Sequence, residues 1–259
     1  MPDAFRAFYA AAGFLWLLFT VSAVQAQETA DAPGADSSRW ALGVGAGVQR
    51  WPYRGVDNDT RVLPAISFEN RWLRVGGLGA DLKLGSAGPV SFAFGARYSL
   101  NGYDSSDAPI LDGMDDRKGG VWVGPSLTWH TPLADVSAEV LGDASGHSKG
   151  AQVRLGVERT FATGAFRFTP RVAALWRDKK YVDYYYGVTA TEARADRPFY
   201  EGRSTTDVEL GLRTAYLLSP HHTLFLDVSS TALGKAVKDS PLVDRSSQSG
   251  VRLGYLYRF

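Results

Sequence analysis

The 259-residue chain has no cysteine, two methionines and a formal charge of only +1. Without cysteine, neither a disulfide framework nor a thiolate metal site holds the fold. The near balance of 28 basic and 27 acidic residues removes any long-range electrostatic argument for nucleic acid or for an acidic surface. Long apolar runs are also scarce. The one present, Ala7 to Val24, follows Arg6 and ends at Val24-Gln25-Ala26 before polar Gln27-Glu28, so residues 1–26 read as a signal peptide cleaved after Ala26. An uncleaved anchor is the alternative for a run nearly long enough to span a bilayer. No other stretch supplies the ~20 apolar residues of a membrane helix, so a mature chain integral to a membrane has to cross it as a closed barrel. A sustained helical period is likewise missing.

What the chain has instead is alternation. In its last ten residues, Val251, Leu253, Tyr255, Tyr257 and Phe259 share one face of a strand, while Gly250, Arg252, Gly254 and Arg258 share the other. Aromatic residues ending the chain on one face look like the closing strand of a bacterial outer-membrane barrel. Tyr255, Tyr257 and Phe259 therefore read as a C-terminal signal for the barrel assembly machinery.

Residues 27–38 are polar with Pro33, a flexible periplasmic lead-in, and residues 39–259 form the barrel. Trp40, Leu42, Val44, Ala46 and Val48 oppose Ala41, Gly43, Gly45, Gly47 and Gln49, so the Gly-x-Gly-x-Gly here is a strand face rather than a nucleotide loop. Similar runs recur, for example Phe92 to Leu100, Val121 to His130, Phe166 to Arg177 and Val208 to Tyr216. Most are ~9 to 12 residues, the length of a tilted membrane strand. Long and short connections alternate back from the C-terminus, which places Gly234–Ser247, Lys179–Ser204, Gly142–Lys149 and Asn101–Lys118 outside the cell and the short turns in the periplasm. With both termini periplasmic the strand count is even, and it is even only if Gly76-Gly77 is a turn. The expected fold is all-β, a transmembrane antiparallel up-and-down β-barrel of about 12 strands, with 10 possible if one short run is not a full strand.

By parity the charges face inward. Arg154, Glu158, Arg167, Arg171, Asp207, Glu209, Arg213 and Arg252 form a lumenal charge network that braces the barrel, or, with its excess of arginine, biases a narrow channel toward anions. Tyr181, Tyr184, Tyr185 and Tyr186 in an outer loop offer a sugar or protein contact, or belong to the aromatic girdle. The four histidines, His130, His147, His221 and His222, have no Gly-x-Ser-x-Gly elbow beside them; His130 near Ser126 and His147 near Asp143 and Ser145 are the sole hydrolytic candidates. The reading is non-enzymatic, with no cofactor and no metal site.

Leu111-Asp112-Gly113-Met114 with Asp116 and Arg117, Tyr184-Tyr185-Tyr186-Gly187-Val188 with Glu192-Ala193, and Asp239-Ser240-Pro241-Leu242-Val243 resemble the MipA/OmpV family of outer-membrane proteins. Leu63-Pro64 with Phe68-Glu69-Asn70 and the closing Tyr-x-Phe match as well, so the resemblance covers essentially the whole mature chain. It implies a monomeric barrel in the Gram-negative outer membrane. It also implies a scaffold that links a lytic transglycosylase to a penicillin-binding protein in peptidoglycan synthesis. Other members are adhesins or pore-like, so a surface adhesin or narrow solute channel is the alternative, and a barrel lipid hydrolase the third.

Overall fold

A computed structural model describes residues 38–259; the expected signal peptide, and all of the lead-in but Ser38, lie outside the described residues. The strands are β1 (Arg39–Arg50), β2 (Asp59–Glu69), β3 (Leu73–Gly76), β4 (Gly79–Ala87), β5 (Val90–Ser99), β6 (Gly120–His130), β7 (Asp135–Asp143), β8 (Ala151–Glu158), β9 (Phe161–Thr163), β10 (Phe166–Arg177), β11 (Thr205–Leu217), β12 (His222–Ala232) and β13 (Ser247–Arg258). The strands pair antiparallel in chain order, except that β8 and β9 both pair with β10, and β1 pairs with both β2 and β13, so the sheet closes on itself.

The barrel has twelve staves, because β8 and β9 are one strand. Arg171↔Glu158 and Phe168↔Phe161 continue a single register along β10. The break falls opposite Pro170, which has no N–H to donate; the Arg159 amide donates to the Pro170 carbonyl at 3.3 Å, and the Thr160 and Thr169 hydroxyls meet at 2.9 Å. At Gly76-Gly77 the parity change is a tight turn, with Gly77 at φ 58° and Gly76 facing Gly79 across it.

Alternation sorts side chains as the sequence requires. On β13, Val251 and Leu253 are exposed while Arg252 is buried; on β12, Leu224, Leu226 and Val228 are exposed while Phe225 and Asp227 are buried. An apolar outer band and a polar interior are what a bilayer selects, since every backbone group must bond within the wall.

Two short helices lie outside the wall. α1 (Lys179–Tyr186) starts where the Asp178 carboxylate accepts the Tyr181 amide at 2.8 Å, and α2 (Lys235–Lys238) is a single turn after Gly234. At eight and four residues, neither is long enough for a helical period to stand out in the sequence.

Candidate functional site

Four outer segments, residues 51–58, 100–119, 178–204 and 233–246, do not stand apart as loops. Trp51, Tyr53, Tyr103, Leu111, Met114, Tyr181, Val182, Tyr185, Tyr186, Val237 and Leu242 are buried in one apolar core above the barrel wall, joined by Trp122 of β6 and Leu141 of β7. Burying each large side chain is worth roughly 1.5–3 kcal/mol, which is why these segments fold together across the mouth.

Many polar groups within this cap are paired, although Trp51 Nε1 is buried without a hydrogen-bond partner. The Tyr53 ring stacks on Tyr186 at 5.5 Å and its hydroxyl donates to the Tyr185 carbonyl at 3.2 Å. Ser240 Oγ donates to the Tyr186 carbonyl at 2.7 Å, and the Tyr200 hydroxyl to the Ala236 carbonyl at 2.5 Å. Arg197, almost wholly buried, donates to the carbonyls of Ile110, Asp112 and Glu192. Glu192 accepts from the Asp115 amide at 3.0 Å, from Arg117 at 2.8 Å and from the Thr189 amide at 2.9 Å. Burial raises the Glu192 carboxyl, but the backbone donors of Thr189 and Asp115, the Thr189 hydroxyl and Arg117 outweigh it and hold the group below the ordinary glutamate value. Burial pushes the Tyr53, Tyr185 and Tyr186 hydroxyls well above the usual tyrosine range, so they serve as neutral donors.

This corrects the reading of the tyrosine cluster. Tyr181, Tyr185 and Tyr186 are buried in the cap, on the inner face of α1, and are not a free contact surface or a lipid girdle. Tyr184 is partly buried and accepts the Lys118 amide at 2.8 Å. Sequence reasoning missed Trp51, Tyr53, Tyr103 and Arg197 of the same cap, which sit in segments without strand alternation. The motif residues Leu111, Met114 and Leu242 were the available signal, since apolar side chains in an otherwise polar loop need somewhere to go.

Below the cap, the lumenal charges form the expected network with different pairings. Asp227 accepts from Arg171 at 2.8 and 3.0 Å, from Arg213 at 3.2 Å and from Arg252 at 3.2 Å. Glu209 accepts from Arg171 at 3.1 Å and from Arg154 at 3.3 Å. Arg177 pairs with Asp207 at 2.5 Å, and Arg97 bridges Asp81 and Glu139. Two expected members fall outside. Glu158 faces Arg171 in register, yet the Arg171 guanidinium turns toward β11 and β12, and Glu158 joins no ion pair among the described residues. Arg167 lies at the periplasmic end and donates to the Gly164 and Phe166 carbonyls.

His130 meets Ser91 Oγ through Nε2 at 3.2 Å and Asp135 through Nδ1 at 2.8 Å, not Ser126. The order is that of a hydrolytic relay, but these side chains sit at the periplasmic rim with His130 52% and Asp135 38% exposed, so water solvates them. His147 Nδ1 donates to the Gly119 carbonyl at 2.6 Å. His221 and His222 sit at the short turn beside β13, with the His222 ring 2.5 Å from the Tyr255 hydroxyl. Around them Tyr255 and Tyr257 line the C-terminal strand, and Phe259 closes it, edge-on to Tyr257 at 5.0 Å.

The chain is 28% identical over 227 residues to the "MltA-interacting protein" of Escherichia coli, covering 85% of this chain and 90% of that one. It is 26% identical over 230 residues to the "Putative outer membrane protein YiaT" of Escherichia coli, with 87% and 93% covered. A 157-residue stretch is 26% identical to "Outer membrane protein OmpV" of Vibrio cholerae, 61% of each chain. Among solved structures, the NanC porin superposes with a TM-score of 0.41 at 13% identity, over 83% of this chain and 98% of the porin. The protein is thus an outer-membrane β-barrel, and with residues 42–259 matching the profile described as "MltA-interacting protein MipA", it belongs to the MipA family.

Proposed function

We propose that this barrel works without catalysis as a scaffold, holding a lytic transglycosylase and a penicillin-binding protein at the inner face of the outer membrane. The carrying observation is the cap. Its aromatic side chains are spent on one another across the outer mouth, and the lumenal charges below are paired rather than lining an open path. That geometry suits a platform better than a conduit, and the relative named for interaction with MltA supports a transglycosylase as the partner. With its outer side folded onto itself, the barrel offers its periplasmic turns to soluble partners, including Thr131–Ala134 with Leu133 74% exposed.

The test is retention. Mature barrel immobilised in detergent is expected to hold transglycosylase activity from a membrane extract, read on a zymogram, and Leu133→Asp is expected to weaken that hold. A column that retains none refutes the scaffold. Two measurements address the rivals: wild-type barrel in planar bilayers is expected to pass little current, and a fluorophosphonate probe is expected to leave Ser91 unlabelled. Steady open-channel conductance would point to a channel, and Ser91-dependent labelling to a hydrolase.

A further inference from the structure

The barrel wall has a short stave. β2 makes eleven paired positions with β1 but three with β3: Ser67↔Gly76, Phe68↔Val75 and Glu69↔Arg74. The β3–β4 hairpin turns back at Gly77-Leu78, where the Tyr98 amide of β5 reaches the Leu78 carbonyl at 2.8 Å. Above that tip, Val62 to Ile66 have β1 on one side and no strand on the other among the described residues. Five residues span about 17 Å of wall, and the two missing strand positions about 10 Å of width.

This edge lies at membrane depth. Val62 and Ile66 are exposed on the outer face, opposite Ala46 and the exposed Leu42 of β1. Lipid tails cannot satisfy the N–H and C=O groups of a free strand edge, which costs several kcal/mol per group, so a polar partner has to sit there. Pro64, which lacks an N–H, removes one donor from this stretch. Inward from this edge Leu63 and Ala65 of β2 are apolar and partly exposed, while Gly45 and Gly47 of β1 are buried, Phe225 lying over Gly45. A polar edge beside an apolar inner wall, open to the bilayer, is complementary to a molecule with one polar head and one tail.

We infer that this slot is a lateral binding site for a single-chain amphiphile, a long-chain fatty acid being the simplest. The carboxylate head accepts from the free amides of β2, and the chain lies against the partly exposed Leu63 and Ala65. The site is separate from the partner-holding role proposed above and stands or falls without it.

Because the chain has no cysteine, single-cysteine variants report cleanly. Ala65→Cys labelled with bimane, in the full barrel reconstituted in phosphatidylcholine liposomes, is titrated with 9,10-dibromostearate. Ser229→Cys, inward on β12 and paired on both sides by Gly211 and Gly250, is the control. The expected result is saturable quenching at Ala65→Cys, several-fold stronger than at Ser229→Cys and reversed by unlabelled stearate. Equal quenching at both sites, quenching that stearate does not reverse, or none at Ala65→Cys overturns the inference, the last meaning that water alone fills the slot. Heat-dependent gel mobility of each variant verifies that the barrel has formed.

Discussion

Asp227→Asn is the sharpest probe of what holds the barrel open against its own charges. Asp227 is 2% exposed and takes four hydrogen bonds from Arg171, Arg213 and Arg252. Neutralising it removes the carboxylate that Arg171, Arg213 and Arg252 share, leaves Arg171 with Glu209, which also pairs with Arg154, and turns an acceptor toward guanidinium groups into an amide donor. Removing one partner of a buried ion pair costs about 3–5 kcal/mol, because the remaining charge stays desolvated. For a barrel of this size each kcal/mol moves Tm by about 2–4 °C, so the expected fall is on the order of 10 °C. Tryptophan fluorescence on heating in detergent, together with boiled and unboiled gel mobility, reads it. Adding Arg252→Gln to Asp227→Asn should recover part of the loss, since it removes one of the buried cations that Asp227 balanced. Glu158→Gln, which breaks no ion pair, should stay within about 0.5 kcal/mol of wild type. If Asp227→Asn is as stable as wild type, or if Glu158→Gln is the more damaging of the two, the charge bracing described here is wrong.

Other expectations concern the seam and the cap. A Cβ at Gly43 would lie 1.8 Å from the Tyr255 carbonyl oxygen, which is backbone and cannot swing away, so Gly43→Ala should part β1 from β13 and abolish heat-modifiable mobility. Glu192→Gln should weaken charged hydrogen bonds worth about 1.5–3 kcal/mol each and raise hydrogen exchange in residues 110–118, while the barrel wall keeps its protection. Its pH dependence follows from sign: a carboxyl held below its ordinary 4.5 stabilises the cap above that value and loses this contribution as pH falls through the lower folded value. Cap protection in wild type should therefore drop as the buffer is acidified below 4.5, whereas Glu192→Gln should show a flatter profile. Tyr53→Ala, which empties the centre of the cap at a cost of about 3–5 kcal/mol, should raise bilayer conductance without unfolding the wall.

The wall was legible in the sequence because its period is fixed. Once Val251, Leu253 and Tyr255 face lipid, Arg252 has to face the lumen, and every strand repeats that logic without knowledge of its neighbours. Pairing partners were not legible to the same degree. Arg171 sits opposite Glu158 in register, but its long side chain reaches past Gly211, where a Cβ would meet the guanidinium carbon at 2.4 Å, to Glu209 and Asp227. The glycine decides the partner, and parity alone says nothing of that. The cap was hidden for another reason. Tyr53, Tyr103 and Tyr186 come from three segments far apart in the chain, and their contacts carry no local period.

The short stave, in contrast, is written in the spacing. Between the Asn70 turn, whose side chain accepts the Trp72 and Leu73 amides, and the Gly77 turn there are four strand residues. At about 3.3 Å each they rise about 13 Å, roughly half of a barrel's apolar band of about 25 Å. An even strand count requires this hairpin to exist; nothing requires it to span. Lengthening it should therefore close the wall: four alternating Val-Thr residues inserted before Gly76 and four after Gly79 would let β3 run alongside Val62 to Ile66. Such a barrel should gain thermal stability from the added backbone ladder, and Ala65→Cys within it should lose its quenching by dibromostearate. If the lengthened barrel folds, keeps that quenching and gains no stability, then the edge of β2 is already satisfied in the natural protein and no slot exists.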